Sequence, residues 1–305
     1  MAQLGMASPL AFDYADHQGV IAEMRGKRLF FVGGFPKSGT TWLQILLNAH
    51  PDVSCVGEGH FLTALAPRLS DAMKQYNAFI NHKNHEVLQD IIGFPQIEEP
   101  QVRFLFVSAI LLLMGATAKA RAVHVVGEKT PDGFTNLPLL AELFPDAKFI
   151  HVLRDPRDCT VSAWFHNQRV NAAATRERFP TLGAFAPYAM TLWLDTIAKW
   201  ERFAAAMPGR CAVIRYEDLT TQPAAELARL LTFLKVATAS ETILDCIKCG
   251  EFDRLSGGRK AGVEDRGSLF RQGLPGDWRN HFLPDHDLSC QTIANGTMVR
   301  YGYGA

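Results

Sequence analysis

The stretch "FVGGFPKSGTTWLQILLNAHP", residues 31–51, joins an apolar run, glycines, a lysine, small hydroxyl residues and an amphipathic segment. This order predicts a strand, a tight turn and a helix. Gly33, Gly34 and Gly39 let the backbone approach an anion closely, and the helix N-terminus favours a phosphate. The nucleotide-triphosphate pattern places its lysine directly after the last glycine, whereas here Lys37 precedes Gly39. We therefore expect residues 33–42, the phosphate loop, to hold a phosphate of a different kind of ligand.

Composition excludes several function classes. The 305 residues contain 31 basic and 31 acidic side chains. The chain therefore lacks an overall basic field, and we expect no nucleic acid partner. The uncharged run at residues 104–118 is shorter than the roughly 20 residues of a membrane span, and we interpret it as a buried helix, with no transmembrane segment expected.

Compartment and metal use follow from the cysteines and the first residues. The first residues show no basic start followed by an apolar core, so we expect no secretory signal. A chain of this size needs no disulfides, so we expect free thiols and a cytoplasmic location. Cys246 and Cys249 form a CxxC, but no second ligand pair lies nearby to complete a zinc site, so no metal is expected. Nothing in the sequence indicates an oligomeric state.

Strand-like and helix-like segments alternate. Runs at 28–34, 122–127, 148–154 and 211–216 are typical of strands, and runs at 40–48, 98–119, 155–167, 182–206 and 223–236 have helical period. The alternation predicts an α/β fold: a single domain with a central parallel sheet flanked by helices, at 28–305 after an N-terminal extension at 1–27. Ligands are then expected at the carboxyl ends of the strands. The Gly- and Arg-rich residues 251–282, the strap, predict a functional loop.

A second element could complement the phosphate loop. In "FIHVLRDPRDCTVSAWF", residues 149–165, a strand leads into a helix. Arg154 ends the strand and Ser162 follows within about 12 Å along a helix, so both could hold one phosphate. The alternative is that Arg154 pairs with Asp155 or Asp158 at the helix start.

Four motifs in this order resemble the sulfotransferases that use 3′-phosphoadenosine-5′-phosphosulfate (PAPS), with a P-loop-like nucleotide-hydrolase fold. "PKSGTTW" resembles their 5′-phosphosulfate loop, "RDPRDCTVS" their 3′-phosphate element, "RYEDL" their segment near the adenine, and "SLFRQGLPGDWRNHF" their C-terminal segment. The resemblance runs from about residue 29 to 282. It departs from the family at Gln272, where the family has a lysine, and at Gly250, where it often has a hydroxyl residue.

The resemblance implies a donor site without metal. Lys37 is expected to stabilise the leaving 5′-phosphate of adenosine 3′,5′-bisphosphate (PAP), the product, and Lys129 to contact the sulfuryl group. The other implied donor ligands are Ser38, Gly39, Thr40, Thr41, Trp42, Arg154, Ser162, Tyr216, Phe252, Arg271, Gln272 and Gly273.

The general base is less clearly indicated. Transfer to an alcohol or phenol needs a base near the acceptor oxygen. The cytosolic small-molecule branch has a Lys-Thr-His pattern, but "GEKTPDGF" places Pro131 at the position of that histidine. "HPDVSCVGEGHF" is similar to the glycan and tyrosyl-protein branch, in which a glutamate after His-Pro-x-Val is the base. Glu58 matches that glutamate, and His60 is the alternative.

The expected activity is therefore sulfuryl transfer from PAPS to a hydroxyl or amine of a small molecule, lipid or sugar. A P-loop nucleotide or small-molecule kinase is the runner-up, although Lys37 is misplaced for it and no strand ends in a clear metal-binding aspartate. A non-catalytic nucleotide-binding protein is the third possibility. A melting-temperature shift with PAP but not with ATP separates the first two.

Overall fold

The computed structural model describes residues 14–89, 91–116 and 122–304. The strands are β1 (Arg28–Gly34), β2 (Val53–Gly57), β3 (Val125–Lys129), β4 (Lys148–Leu153) and β5 (Cys211–Arg215). The α-helices are α1 (Tyr14–Arg25), α2 (Thr40–Ala49), α3 (Ala66–His82), α4 (Glu99–Gly115), α5 (Leu137–Leu143), α6 (Pro156–Arg178), α7 (Leu182–Ala206), α8 (Tyr216–Thr221), α9 (Pro223–Phe233), α10 (Ser240–Cys249), α11 (Phe252–Leu255) and α12 (Pro284–Arg300). Short π- or 3₁₀-helical turns lie at Phe61–Leu65, Lys83–Val87, Pro131–Asn136 and Asp277–Asn280.

The five strands form one parallel sheet in the order β2-β3-β1-β4-β5, with β1 at its centre. Both faces are covered, which is why β1 is a continuous apolar run: Phe30, Phe31 and Val32 are at most 1% exposed. One face packs on side chains of α2, α9 and α10, and the other on side chains of α4, α5 and α7. The α/β fold with a central parallel sheet is confirmed.

The structure corrects several boundaries and adds one strand. β2 was not predicted, because "VSCVG" is short and has no alternation; its burial and its pairing with β3 make it a strand. β3 begins at Val125 rather than at residue 122, since Val125 is the partner of Arg28 at the start of β1. α6 continues to Arg178 rather than ending at 167, with a kink at Asn171.

Helices α1 and α4 lie outside the sheet and pack against each other. Part of the expected N-terminal extension forms α1, whose Val20 and Met24 join the core cluster that contains Ile110 and Met114 of α4. α4 ends at Gly115, and the rest of the helix expected to 119 lies partly outside the described residues. Among the described helices, none has the length and apolar character needed to cross a bilayer. All six cysteines are free thiols.

Candidate active site

The phosphate loop connects β1 to α2 in a conformation that its sequence permits. Lys37 has φ 71° and Gly39, the residue before α2, has φ 100°. A Cβ atom on Gly39 would lie 2.5 Å from the Tyr216 ring, so this position requires glycine twice over. Ser38 is fully buried, and within the described chain its hydroxyl has no hydrogen-bond partner. The loop therefore presents an unsatisfied polar group beside a helix N-terminus.

A cavity of about 700 Å³ opens at the carboxyl ends of the strands, next to this loop. Thirteen of the expected site residues line it: Lys37, Gly39, Thr40, Thr41, Trp42, Glu58, Arg154, Ser162, Tyr216, Phe252, Arg271, Gln272 and Gly273. Three do not line it, namely Ser38, Lys129 and His60. Pro131, at the position of the absent family histidine, does face the cavity. Residues distant in sequence thus meet at the edge of the sheet where parallel strands bind ligands.

Arg154 contacts both the phosphate loop and the ring of Tyr216. Its Nη1 donates to the Lys37 carbonyl oxygen at 3.1 Å, and its guanidinium carbon lies 4.2 Å from the Tyr216 ring centre. The alternative pairing with Asp158 is a long contact of 3.8 Å. Asp155 instead binds Arg157 through both carboxylate oxygens and caps α6. Arg154 Nε has no partner among the described residues, so the side chain retains capacity to bind an anion.

Glu58 follows β2 directly, in residues 57–60, which we call the base loop. Lys129 Nζ contacts one of its carboxylate oxygens, and His60 Nε2 lies 3.3 Å from the other. Lys129 also donates to the Thr41 hydroxyl at 3.2 Å, which links the base loop to the first turn of α2. Glu58 is half-exposed at the cavity, whereas Lys129 is buried behind it. His60 therefore contacts Glu58 without itself lining the cavity.

Aromatic side chains line another part of the cavity, namely Trp42, Tyr216 and Phe252. The Trp42 indole donates to the Gly250 carbonyl at 2.9 Å and meets Tyr216 edge-on, with ring centres 5.5 Å apart. The departure at Gly250 has a steric reason, since a Cβ there would lie 2.4 Å from Leu46 Cδ2. Gly273 has φ 78°, and a Cβ on it would overlap the Phe252 ring at 2.2 Å.

Arg271 reaches the cavity already paired with acids of the strap. Its guanidinium donates to Glu264 at 2.6 Å, contacts Asp277 and lies 3.4 Å from His281 Nε2. In the described part of the chain, Glu264, Asp277 and His281 are the one set of side chains spaced for a shared metal ion. The guanidinium contacts all three, so the two carboxylates are better described as the counter-charge of Arg271.

The site is rich in cations. Burial, together with Arg169 and Arg154, lowers the pKa of Lys37 to about 8. His166, which the sequence analysis missed, also lines the cavity, and burial and the charge of Lys37 lower its pKa. Its position one helical turn after Ser162 is the signal that could have identified it. Crowded positive charges of this kind favour an anionic ligand.

The sequence is similar to that of known proteins. Zebrafish (Danio rerio) protein-tyrosine sulfotransferase 1 is 28% identical over 215 residues, which are 68% of this chain and 53% of that protein. The chain thus spans about half the length of this relative.

Two solved structures share the fold. A mouse sulfotransferase complexed with PAP superposes with a TM-score of 0.54 and 18% identity, covering 92% of this chain and 89% of that one. A sulfotransferase from Mycobacterium avium gives 0.53 and 14%, covering 96% and 82%. The sulfotransferase family itself matches residues 30–240, well over half of the sequence. As the four motifs predicted, the chain belongs to the sulfotransferase family.

Proposed function

We propose that this protein transfers a sulfuryl group from PAPS to an acceptor hydroxyl, with Glu58 as general base. The observation that carries the proposal is the convergence of Lys37, Arg154 and Glu58 on one cavity beside a phosphate loop. Two cations and a carboxylate at one strand edge suit a reaction that must hold an anionic donor and remove a proton.

The residues present fit the nucleotide. Four buried polar atoms at the cavity or directly beneath it have no partner among the described residues: Ser38 Oγ, Arg154 Nε, Arg271 Nε and Gln272 Oε1. Buried polar groups are normally hydrogen-bonded, so these atoms are suited to a polar ligand. Trp42, Tyr216 and Phe252 supply the apolar surface that an adenine ring needs.

The chain's own groups account for each requirement of the reaction. When bound, PAPS supplies the sulfuryl group, whose S–O bond to the 5′-phosphate breaks as a bond to the acceptor oxygen forms. Glu58 accepts the proton that the acceptor hydroxyl loses. Lys37, within the phosphate loop, stabilises the charge that moves onto the 5′-phosphate. Lys129 holds the Glu58 carboxylate in place through its contact with it.

His60 has a different proposed role. Its imidazole lies 3.3 Å from Glu58 and does not line the cavity, so it orients the base. The name of the zebrafish relative makes a tyrosine side chain of a protein the first acceptor to test. Hydroxyls or amines of small molecules, lipids and sugars complete the acceptor panel.

The donor assignment is tested by calorimetry with PAP, AMP and ATP. Arg154, Ser162 and Arg271 are the proposed ligands of the 3′-phosphate, so AMP should bind more weakly than PAP by at least about 1.5–3 kcal/mol, the value of hydrogen bonds to charged groups. Equal affinity for AMP and PAP would overturn the donor assignment. A melting-temperature shift with ATP as large as that with PAP would favour a kinase.

The base assignment is tested with Glu58→Gln and His60→Ala, using labelled PAPS and the acceptor panel. Loss of a general base typically lowers the rate by about 10²–10⁴-fold, so Glu58→Gln should lose turnover on that scale and keep PAP affinity. His60→Ala should lose less. If Glu58→Gln retains native turnover while His60→Ala abolishes it, with both variants folded, His60 is the base.

A further inference from the structure

Three consecutive residues at the end of β3 hold three consecutive residues of the base loop. Glu128 Oε1 accepts the Gly59 amide at 2.7 Å, Lys129 contacts the Glu58 carboxylate, and the Thr130 hydroxyl accepts the His60 amide at 3.3 Å. The Thr130 hydroxyl in turn donates to Glu128 Oε1. The β2–β3 register sets up this match, because it pairs residue 57 directly with Lys129.

Glu128 stands out in this arrangement because it is buried and does not line the cavity. Only 5% of the residue is exposed, and Thr130 is equally enclosed at 2%. A carboxyl group at such a site is costly unless hydrogen bonds compensate for lost water. Its two hydrogen bonds run to the Gly59 amide and the Thr130 hydroxyl, so its partners are the base loop and the residue that also holds that loop.

We propose that Glu128 is a positioning residue that fixes the backbone after Glu58 through the Gly59 amide and, by way of Thr130, the His60 amide. The inference rests on the proposed function, in which Glu58 is the base. Lys129 holds the Glu58 carboxylate from one side, and Glu128 with Thr130 holds the peptide groups that follow it. Since a side chain is directed by its backbone, both sets of contacts are needed to hold the carboxylate in one place.

The backbone of the base loop needs such support. His60 has φ 45°, a left-handed conformation that is unfavourable for residues other than glycine. Gly59, which precedes it, has few intrinsic restrictions of its own. Without the Glu128 and Thr130 contacts, the loop could relax while Lys129 still bound the carboxylate. A displacement of about 1 Å at a reacting group can cost on the order of 10²-fold in rate.

The matched pair Glu128→Met and Glu128→Gln tests the proposal. Methionine has a similar length and no oxygen acceptor, whereas glutamine retains an oxygen that can accept from the Gly59 amide and the Thr130 hydroxyl. Glu128→Met should lower kcat on the order of 10²-fold with PAP affinity unchanged, and Glu128→Gln should restore most of it. In a Glu58→Gln background, Glu128→Met should have little further effect, because both changes act through one group.

A second measurement does not depend on turnover. Amide hydrogen exchange in residues 57–60 should be faster in Glu128→Met and in Thr130→Val than in the wild type, and close to wild type in Glu128→Gln and Thr130→Ser. Native kcat in a folded Glu128→Met variant, or unchanged exchange in the base loop, overturns the positioning role. If the wild type shows no sulfuryl transfer but exchange follows this pattern, the proposed function is wrong and the structural role of Glu128 stands.

Discussion

The phosphate loop and the strap both line one cavity, but they are held in different ways. The phosphate loop takes its form within a few residues: the Ser38 amide donates to the Phe35 carbonyl at 3.1 Å, and the Leu43 amide donates to Gly39 at 3.1 Å to begin α2. Its neighbours constrain it sterically, since a Cβ on Gly34 would lie 2.5 Å from the Val152 carbonyl oxygen of β4.

The strap depends on side chains that reach its backbone from a distance. Asp158 of α6 accepts the amides of Gly276 at 2.6 Å and Trp278 at 2.9 Å, more than one hundred residues away in sequence. Within the strap, the Arg259 guanidinium donates to three carbonyl groups, and Arg271 is held by Glu264 and Asp277.

The two regions should therefore tolerate different substitutions. Backbone geometry and close packing fix the phosphate loop, so added atoms should damage it most. Charges and hydrogen bonds fix the strap, so changes in charge should tune it without unfolding the sheet.

The largest effect is expected for Gly39→Ala, with Gly273→Ala as its counterpart in the strap. Both glycines have positive φ and face an aromatic ring, but the ring beside Gly39 belongs to Tyr216, which is 8% exposed and packed against Arg154. Strain and overpacking should together lower the free energy of unfolding by about 2–4 kcal/mol in Gly39→Ala. Urea denaturation should show a smaller loss in Gly273→Ala, because the strap can shift. An equal loss in both variants would remove the contrast.

His151, in β4, should make the sheet acid-sensitive. The residue is buried against Phe134 and Trp200, neither ring nitrogen has a partner in the described chain, and burial lowers its pKa to about 3. As the pH falls, His151 binds a proton in the unfolded chain before it does so in the folded chain. The stability that neutral His151 contributes is therefore complete above about pH 6.5 and declines as the pH falls toward 3. At pH 5.5 the loss should be on the order of 1 kcal/mol relative to pH 7.5.

The measurement is urea unfolding at both pH values for the wild type and His151→Leu. The variant should lack most of this pH dependence, whatever its absolute stability. The strap should respond at lower pH. Burial alone would raise the pKa of Asp277, but hydrogen bonds from Asn280 and Arg271 lower it overall. The stability that the Asp277 carboxylate contributes is therefore lost only as the pH falls below about 3.8. An unaltered pH slope in His151→Leu would contradict the assignment.

The smallest effect is expected for Glu264→Gln. The Glu264 carboxylate holds Arg271 at 2.6 Å and would compete with a phosphate for it. Such partly exposed pairs are worth about 0.2–1 kcal/mol, so PAP should bind a few-fold more tightly to the variant, measured by calorimetry. Glu226→Gln, which removes the partner of Arg229 on α9, serves as the control and should leave the affinity unchanged. Weaker binding to Glu264→Gln would show that the carboxylate orients Arg271 for the ligand.

Short-range signals carried the prediction of the phosphate loop and of the Arg154–Ser162 pair, and the family resemblance carried the rest of the donor site. The glycines and Lys37 specify the phosphate loop through local backbone preferences, and the spacing of Arg154 and Ser162 follows from a helix after a strand. Thirteen of the sixteen expected site residues line one cavity, because each lies at or beyond a strand end or in the strap, and strand ends meet at one edge of a parallel sheet.

Tertiary structure decided the strand pairing of β2 and the contacts to the base loop, which the spacing of residues in the sequence does not encode. β2 is a strand because β3 pairs with it, and that register places Glu128 and Thr130 against the base loop, which lies about seventy residues earlier in the sequence. Likewise, the sequence predicted Arg271 at the cavity but not its carboxylate partners. The sequence alone predicted the fold class and the phosphate loop, since these depend on local conformation and hydrophobic pattern, and its resemblance to a known family indicated the candidate base. Only the folded chain decided which buried polar groups hold them, because such contacts depend on distances across the sheet.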